Sequence, residues 1–498
     1  MNYHLTKLQQ IITSSIKMST PTRFPPPNHI KRLPLINPDQ STGSLNQITL
    51  TDEIKNQFRI KVPLLAIKIK AEEISNLKSN PLTKSAILAA KGLASVRLDP
   101  LSSDQSHKLL LLNSSETENL PPTALAHFNQ SGFEFRKFEL DLDWSYYQAE
   151  EIIERLLPEE LLSEVPSSFT MIGHIAHFNL RKEYIPYRYL IGEIILEKNI
   201  PIRTVVNKLD TINSQFRFFQ MDLMAGEPDY QVSLSQAGCR FEFDFSKVYY
   251  NPRLSTEHSK LVTTYLKPHQ ILFDAFAGVG PFAIQAARNQ SCFVIASDLN
   301  PSAVEALNQN VKINRLNDLV RVGLGDARDR IRNGVIDLWN NPFFDPPPPQ
   351  PKLSRRQPTV PTPAPVVPKI ETSKEPRRLV SHFVMNLPEL TLTFLDAYVD
   401  LYKPLLERFG NEFEEEISKS SLPMVHAYCF TKSEEGIEAE KDICQRASES
   451  IRFEINSNSV KQFELSFVRK VAPHKTMYRL SFELPISVVL FSKYQNRN

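Results

Sequence analysis

The chain has 498 residues, 41% hydrophobic and 23% charged, with 58 basic against 56 acidic side chains. That length holds about two to four domains with a sizeable core, and the charge balance excludes a molecule held to a polyanion by anything but a local patch. No apolar run is long enough to cross a membrane, and Cys239, Cys292, Cys429 and Cys444 show no CxxC spacing, which excludes a zinc-ribbon or disulfide framework and predicts buried thiols.

Residues 1–45 stand apart. No acid occurs from Met1 to Pro38, while Leu5, Leu8, Ile11 and Ile12 recur at helical spacing among hydroxyl and basic residues. This is the composition of a mitochondrial presequence and equally of an unstructured tail. Met18 offers a second start, so the expected destinations are the mitochondrial matrix together with cytoplasm and nucleus. Residues 19–45 are rich in proline and polar residues and are expected to be extended or disordered.

A first small domain is expected over 46–135, with an amphipathic stretch "AEEISNLKSNPLTKSAILAAKG" and a strand "KLLLLN". A second α+β domain follows over 136–250, entered through the alternating "FEFRKFELDLDWSYY" and the helical "AEEIIERLLPEELLSEV". From Gln270 strands and helices alternate, the pattern of a parallel α/β sheet. "ILFDAF", "CFVIASD" and "VRVGLGDARD" supply the first three strands, and "PFAIQAARN" is a helix opened by proline. Twelve prolines in 341–376 mark a surface insertion before the fourth strand. A helix to about Arg408, the strand "MVHAYCF", a further helix, and the strands "FELSFVRKVA" and "MYRLSFELP" complete the chain. The predicted fold over 251–498 is α/β, a Rossmann-like mixed seven-stranded sheet with a C-terminal antiparallel hairpin, preceded by two smaller α+β domains. This is the layout of class I methyltransferases.

"FDAFAGVGPF" places Asp274 on a strand and Gly278 and Gly280 in the loop after it. Glycines allow close backbone approach to a ligand, and the next helix offers free N–H groups. Phe282 and Ala283 stand where a dinucleotide fingerprint needs its third glycine, which argues against a pyrophosphate. Asp298 ends the second strand, where a carboxylate meets a ribose hydroxyl pair, and Asp326 follows the third, within reach of an adenine amino group. Three acids at successive strand ends predict an S-adenosylmethionine site. At the fourth strand end, "MNLPEL" sets Asn386 and Pro388 in a polar turn suited to a flat, nitrogen-bearing ring, although by itself it is equally an ordinary strand-terminating turn.

"NLPELTLTFLDAY", "GHIAHFNLRKEYIPYRYLIGEIILEKN", "TVVNKLDTINSQFRFFQMDLMAGEPDY", "YYNPRLSTEH" and "FDAFAGVGPF" together resemble the archaeal and eukaryotic tRNA (guanine(37)-N1)-methyltransferases, from about Glu134 to Pro485. The resemblance implies methylation of N1 of the guanosine 3′ of the anticodon, with 46–135 as a tRNA-recognition module and 136–250 contributing to tRNA binding and the active site. It implies Glu257 as the base that takes the N1 proton, Arg217 as the cation at O6, and Asn386 and Pro388 as walls of the pocket. The cofactor would be held by His258, Phe276, Gly278, Gly280, Asp298, Leu299, Asp326, Ala327 and Asn386. Tyr249 and Arg253 would take the flipped base and a phosphate. Arg181 and Lys182, in "RKEYIPYRY", and the stretch "RKVAPHKTMYR" are candidate RNA contacts, where basic and aromatic residues alternate. His174 and His177 lack a third ligand nearby, so no metal is expected. A monomer that binds anticodon stem-loop and tRNA body, without a membrane, is the implied working state. Two alternatives stand beside it: the aminocarboxypropyl transferase of wybutosine biosynthesis, which shares the fold, and a non-catalytic tRNA-binding protein.

Overall fold

The computed structural model describes residues 23–36, 48–99, 107–212, 219–344, 376–433 and 435–492. The chain divides into two compact units, one of Met1–Phe169, Ala176–Asn207 and Leu223–Pro228, the other of Thr170–Ile175, Lys208–Asp222 and Asp229–Asn498.

In the first unit, strands β1 (Ile60–Lys70), β2 (Val96–Leu98), β3 (His107–Leu111) and β4 (Glu134–Leu142) form an antiparallel sheet in the order β2-β3-β1-β4. Both faces of β1 are covered: Leu65, Ile67 and Ile69 pack with Phe128 of helix α1 (Pro122–Gln130), while Val62, Leu64 and Ala66 pack with Leu109, Leu140 and Leu142. Because β4 pairs with β1 along its whole length, this sheet runs past residue 135, the boundary read from sequence. The amphipathic stretch after β1 holds one short helix, Ile74–Ser79, and then turns at Asn80 and Pro81.

Helices α2 (Ala149–Leu156) and α3 (Arg188–Lys198) build a further core in this unit. Residues 23–36 are extended, as expected, but they are docked on this unit rather than loose. Ile30 enters the core, Arg155 Nε donates to the Pro27 carbonyl at 2.9 Å, and Tyr187 Oη donates to the Pro34 carbonyl at 2.6 Å. A segment without its own ladder hydrogen bonds is held here by side chains that take its carbonyls. Strands β5 (Thr170–Ile172), β6 (Ile175–Phe178), β7 (Thr204–Ile212) and β8 (Phe219–Gly226) follow as a four-stranded sheet in that order.

The second unit opens with a hairpin, β9 (Gln231–Gln236) and β10 (Cys239–Asp244), and helix α4 (Ser255–Tyr265). Next come β11 (Ile271–Asp274), α5 (Pro281–Gln290), β12 (Phe293–Asp298), α6 (Pro301–Ile313), β13 (Val320–Leu324), α7 (Ala327–Asn340), β14 (His382–Met385), β15 (Met424–Thr431), α8 (Ile437–Ile451), β16 (Glu464–Ala472) and β17 (Lys475–Glu483). The sheet runs β13-β12-β11-β14-β15-β17-β16, parallel except for β17, which is antiparallel to both neighbours. This is the seven-stranded mixed sheet with a terminal hairpin expected from the sequence. The strand order reverses between β11 and β14, the crevice where open sheets bind ligands.

One local reading needs correction. The helix expected from the Asn-Leu-Pro turn to Arg408 is instead a 3₁₀ segment, Thr391–Tyr398, and a separate helix, Lys403–Phe409. Asp400 between them has φ 58°, a left-handed turn that breaks the helix. Residues 345–375 of the proline-rich insertion lie outside the described residues. Its flanks meet, since Phe343 and Arg377 exchange two backbone hydrogen bonds of 3.2 and 2.8 Å. The four cysteines are buried and free, as expected.

Candidate active site

The loop after β11 gets its shape from its glycines and from Asp298. Gly278 has φ 54° and Gly280 φ 96°, both in the region that side chains disfavour. Asp298 Oδ2 accepts the Gly278 N–H at 2.8 Å, and its Oδ1 accepts the Asn300 N–H at 2.9 Å. Burial raises the Asp298 carboxyl above the usual range, and these N–H groups oppose the rise. Among the described residues a Cβ on Gly278 would meet nothing within 4 Å, so this edge of the loop is open to them. Gly280 then caps α5, whose first residue is Pro281.

Asp274, at the end of β11, is fully buried, and neither carboxylate oxygen completes a hydrogen bond among the described residues. Burial pushes it up to about 8, with the nearby Phe276 N–H opposing and Asp298 adding to the rise. Asp326 caps α7, accepting the Arg328 N–H at 2.9 Å. Leu299, just beyond β12, and Leu324, the last residue of β13, keep exposed apolar side chains, and Phe276 packs edge-on against Phe394. Apart from His258 on α4 and Asn386 after β14, the predicted cofactor residues thus share the carboxyl ends of β11, β12 and β13.

Asn386 follows β14, and its Oδ1 is buried without a partner among the described residues. The turn is held by Thr391, whose Oγ1 accepts the Leu387 N–H at 2.9 Å, and by the Pro388 carbonyl, which accepts the Phe430 N–H at 3.1 Å. Two residues earlier on the same strand, Tyr428 Oη donates to Glu257 Oε1 at 3.0 Å. One strand, β15, therefore anchors both the Asn-Leu-Pro turn and the predicted base. Tyr428 also packs against Phe282 at 5.6 Å, and Phe282 against His258 at 4.6 Å.

His258 is buried, and burial holds its imidazole down to about 3, so the ring is neutral. Its Nδ1 lies 3.3 Å from Gln236 Nε2, and Gln236 Oε1 accepts from Tyr250 Oη at 2.5 Å. That arrangement makes the Gln236 amide the donor and leaves the proton on His258 Nε2, which is buried without a partner among the described residues.

The sequence missed what holds Glu257. Arg479, fully buried in β17, donates Nη1 to Glu257 Oε1 at 2.5 Å. A signal was available, because a lone arginine inside "MYRLSFELP" is a charge in a buried strand and requires a carboxylate. Arg479 therefore leaves the set of RNA contacts read from "RKVAPHKTMYR", and Lys475 pairs with Glu389 at 2.7 Å. Lys470 and His474 remain exposed.

The other predicted RNA residues divide. Tyr249 and Arg253 are exposed in the second unit. Arg181 and Lys182 are exposed in the first unit, with Arg181 ion-paired to Glu164. Tyr184 and Tyr187, aromatic residues of the same "RKEYIPYRY" stretch, are core residues. Tyr184 Oη donates to the carbonyls of Leu161 and Glu164, both at 2.8 Å. Arg217 lies outside the described residues. His174 Nε2 meets Asp229 Oδ2 at 3.2 Å, a scaffold contact. Among the described residues no three His, Cys, Asp or Glu side chains cluster as metal ligands.

Residues 149–229 match the family model described as TYW2 N-terminal domain, and residues 233–338 match the TRM5/TYW2 methyltransferase domain. A tRNA (guanine(37)-N(1))-methyltransferase of Puccinia graminis f. sp. tritici is 49% identical over 492 residues, covering 98% of this chain and 89% of that protein. One of Coprinopsis cinerea is 40% identical over 468 residues, covering 91% and 96%. Among solved structures, Trm5b from Pyrococcus abyssi aligns over 84% of this chain and 98% of its own with a TM-score of 0.54 and 22% identity. An aTrm5 complexed with tRNALeu aligns over 84% of this chain and 100% of its own, with a TM-score of 0.54 and 19% identity. These two share the fold of this chain.

Proposed function

The chain belongs to the tRNA (guanine(37)-N1)-methyltransferase family, and from that membership we infer how its own residues methylate N1 of guanosine 37 in tRNA. The observation that carries the residue assignment is the double anchoring by β15, which holds Glu257 through Tyr428 and the Asn-Leu-Pro turn through Phe430.

S-adenosylmethionine is the methyl donor we assign, and the residues present fit it. Gly278 leaves a bare loop edge, and Asn386 Oδ1 and His258 Nε2 are buried polar atoms without partners among the described residues. Phe276, Gly278, Gly280, Asp298, Leu299, Asp326, Ala327, His258 and Asn386 would hold it. When bound it supplies an electrophilic methyl group on a sulfonium centre.

The remaining work falls to the protein. Guanine N1 carries a proton, so the acceptor must lose it, and Glu257 is the base we assign. Charge then develops on O6, where Arg217 is assigned by its place in the "SQFRFF" motif. Asn386 and Pro388 wall the base, which reaches the pocket by leaving its stack. To Tyr249 and Arg253, both exposed, we assign the flipped base and a phosphate, and to Arg181 and Lys182 further RNA contacts. We further propose that the enzyme acts as a monomer, apart from membranes, in the mitochondrial matrix, cytoplasm and nucleus, with starts at Met1 and Met18 dividing the pool. Among the described residues no helix is long and apolar enough to cross a membrane. Because residues 23–36 dock on the first unit, processing of a leader would fall before Arg23.

The related aminocarboxypropyl transfer shares the fold but moves a different carbon of the same donor. Donor labelled separately in methyl and carboxyl positions, incubated with unmodified tRNA, separates the two. Methyl label is expected in RNA, together with a new primer-extension stop at position 37; carboxyl label alone would overturn the reading. Glu257→Gln should reduce transfer at least about a hundredfold while retaining tRNA binding.

A further inference from the structure

Glu257 is not a free carboxylate, and what holds it is unusual. Every guanidinium nitrogen of Arg479 is engaged. Nη1 donates to Glu257 Oε1 at 2.5 Å, and Nη2 to Glu464 Oε1 at 3.2 Å, to Tyr265 Oη at 3.2 Å and to Ser466 Oγ at 3.1 Å. Nε donates to Ser481 Oγ at 3.2 Å. Ser481 in turn bonds His426 Nδ1 at 2.9 Å, and His426 Nε2 lies 3.1 Å from His382 Nδ1. Burial holds both imidazoles low, His382 to about 4 and His426 well below its usual value, so this backing is neutral. The cation cannot turn away without leaving several buried polar atoms unpaired.

One cation is thus shared by two carboxylates. A buried guanidinium facing a single carboxylate would stabilise its charged form and make it a poor proton acceptor. A second carboxylate on the same guanidinium offsets part of that field. When Glu257 takes a proton, Arg479 still has Glu464 as its counter-charge, so no uncompensated cation is left in the core. Both hydrogen bonds to Glu257 fall on Oε1, and Oε2 carries neither.

We propose that Arg479 and Glu464 are positioning residues for the base: Arg479 fixes Glu257 through Oε1, and Glu464 draws off enough of the guanidinium field for Oε2 to accept the proton. This rests on Glu257 being the base, as inferred above. In the step, the N1–H bond of guanine breaks, its electron pair stays on the nucleobase, and the proton ends on Oε2. The groups facing the pair are Tyr428 and Tyr265, with Glu464 and His426 around the guanidinium and Lys260 acting on Glu464. Burial beside Glu257 keeps the Tyr428 phenol well above its usual range, so it stays a donor.

The test is single-turnover methyl transfer from pH 5 to 9 with Glu464→Gln, Arg479→Lys and Glu257→Gln, alongside affinities for tRNA and S-adenosylhomocysteine. Glu464→Gln alters a side chain that is 47% exposed, so folding is preserved. It is expected to slow transfer about fivefold and to move the acid limb of the profile to lower pH. Arg479→Lys, a poorer fork, is expected to slow transfer about tenfold or more and to move that limb to higher pH. Both affinities should stay within about twofold. A structural role alone would not displace the two limbs in opposite directions. Limbs that stay put or move together, with Glu257→Gln inactive, would overturn the positioning role and leave the base assigned. An active Glu257→Gln would instead remove the base reading and this proposal with it. If Arg479→Lys fails to fold, the direction of the Glu464→Gln shift decides alone.

Discussion

Asp298 accepts the backbone N–H of Gly278 at 2.8 Å, so the acid at the end of β12 shapes the loop that follows β11. A single carboxylate thereby couples two strand ends, and the loop it organises contains two glycines with different reasons for being glycine.

That difference predicts two distinct outcomes. At Gly280 a methyl group would stand 2.5 Å from Leu307 Cδ1 and 2.9 Å from Ile284 Cγ1 at φ 96°, so Gly280→Ala should lose about 2–4 kcal/mol of stability. At Gly278 nothing stands within 4 Å, so Gly278→Ala should lose only about 1–2 kcal/mol from backbone strain. The new methyl there projects into the open edge, and affinity for S-adenosylhomocysteine should fall about tenfold or more. Denaturation curves and calorimetric titration of both variants check the pair; equal behaviour of the two would contradict the assignment.

Asp274 predicts a pH dependence with a definite sign. Its folded value, about 8, lies above the unfolded value of about 4. The group's contribution is therefore fully present below the unfolded value and is lost as pH rises through about 8. Comparison with Asp274→Asn cancels the other titrating groups, including the buried histidines. In ligand-free protein the asparagine variant should gain on wild type by about 2–4 kcal/mol between pH 5 and pH 8. Urea denaturation at several pH values measures this, and a constant difference would mean that Asp274 is ionised throughout.

Tyr250 controls His258 at one remove. Its hydroxyl holds Gln236 Oε1 at 2.5 Å, which aims the amide at His258 Nδ1 and leaves Nε2–H free to donate. Tyr250→Phe releases the amide to flip, and KM for the methyl donor should rise about three- to tenfold with kcat within about twofold. Steady-state kinetics at saturating tRNA distinguishes this from a loss of kcat alone, which would count against the orienting role.

The strand–glycine loop–helix unit over 271–290 was legible because its constraints are local. Positive φ at Gly278 and Gly280, proline at the first helical position and the acids at successive strand ends belong to neighbouring residues. The double-wound order followed from alternating periodicity in the same way. Where the reading went astray, partners were distant. Residue 135 looked like a boundary because β1, the partner of β4, lies far back in the chain. The alternation of basic and aromatic residues in "RKEYIPYRY" did not reveal that Tyr184 and Tyr187 are core, because nothing nearby shows that Leu161, Glu164 and Pro34 offer carbonyls to their hydroxyls.

Glu257 stands at the meeting of these two kinds of information. By itself the sequence marked an acid, Glu257, inside the motif "YYNPRLSTEH" and predicted a cofactor edge at the ends of the first three strands of the α/β sheet. Only the tertiary structure decided that this acid is pinned by Arg479, 222 residues away, and by Tyr428, 171 residues away. Backbone conformation is set by adjacent residues, whereas a buried charge takes its partner from whatever the assembled sheet brings against it. Here β15 and β17 pair antiparallel, with Tyr428 directly opposite Arg479, and that register delivers both donors to one carboxylate.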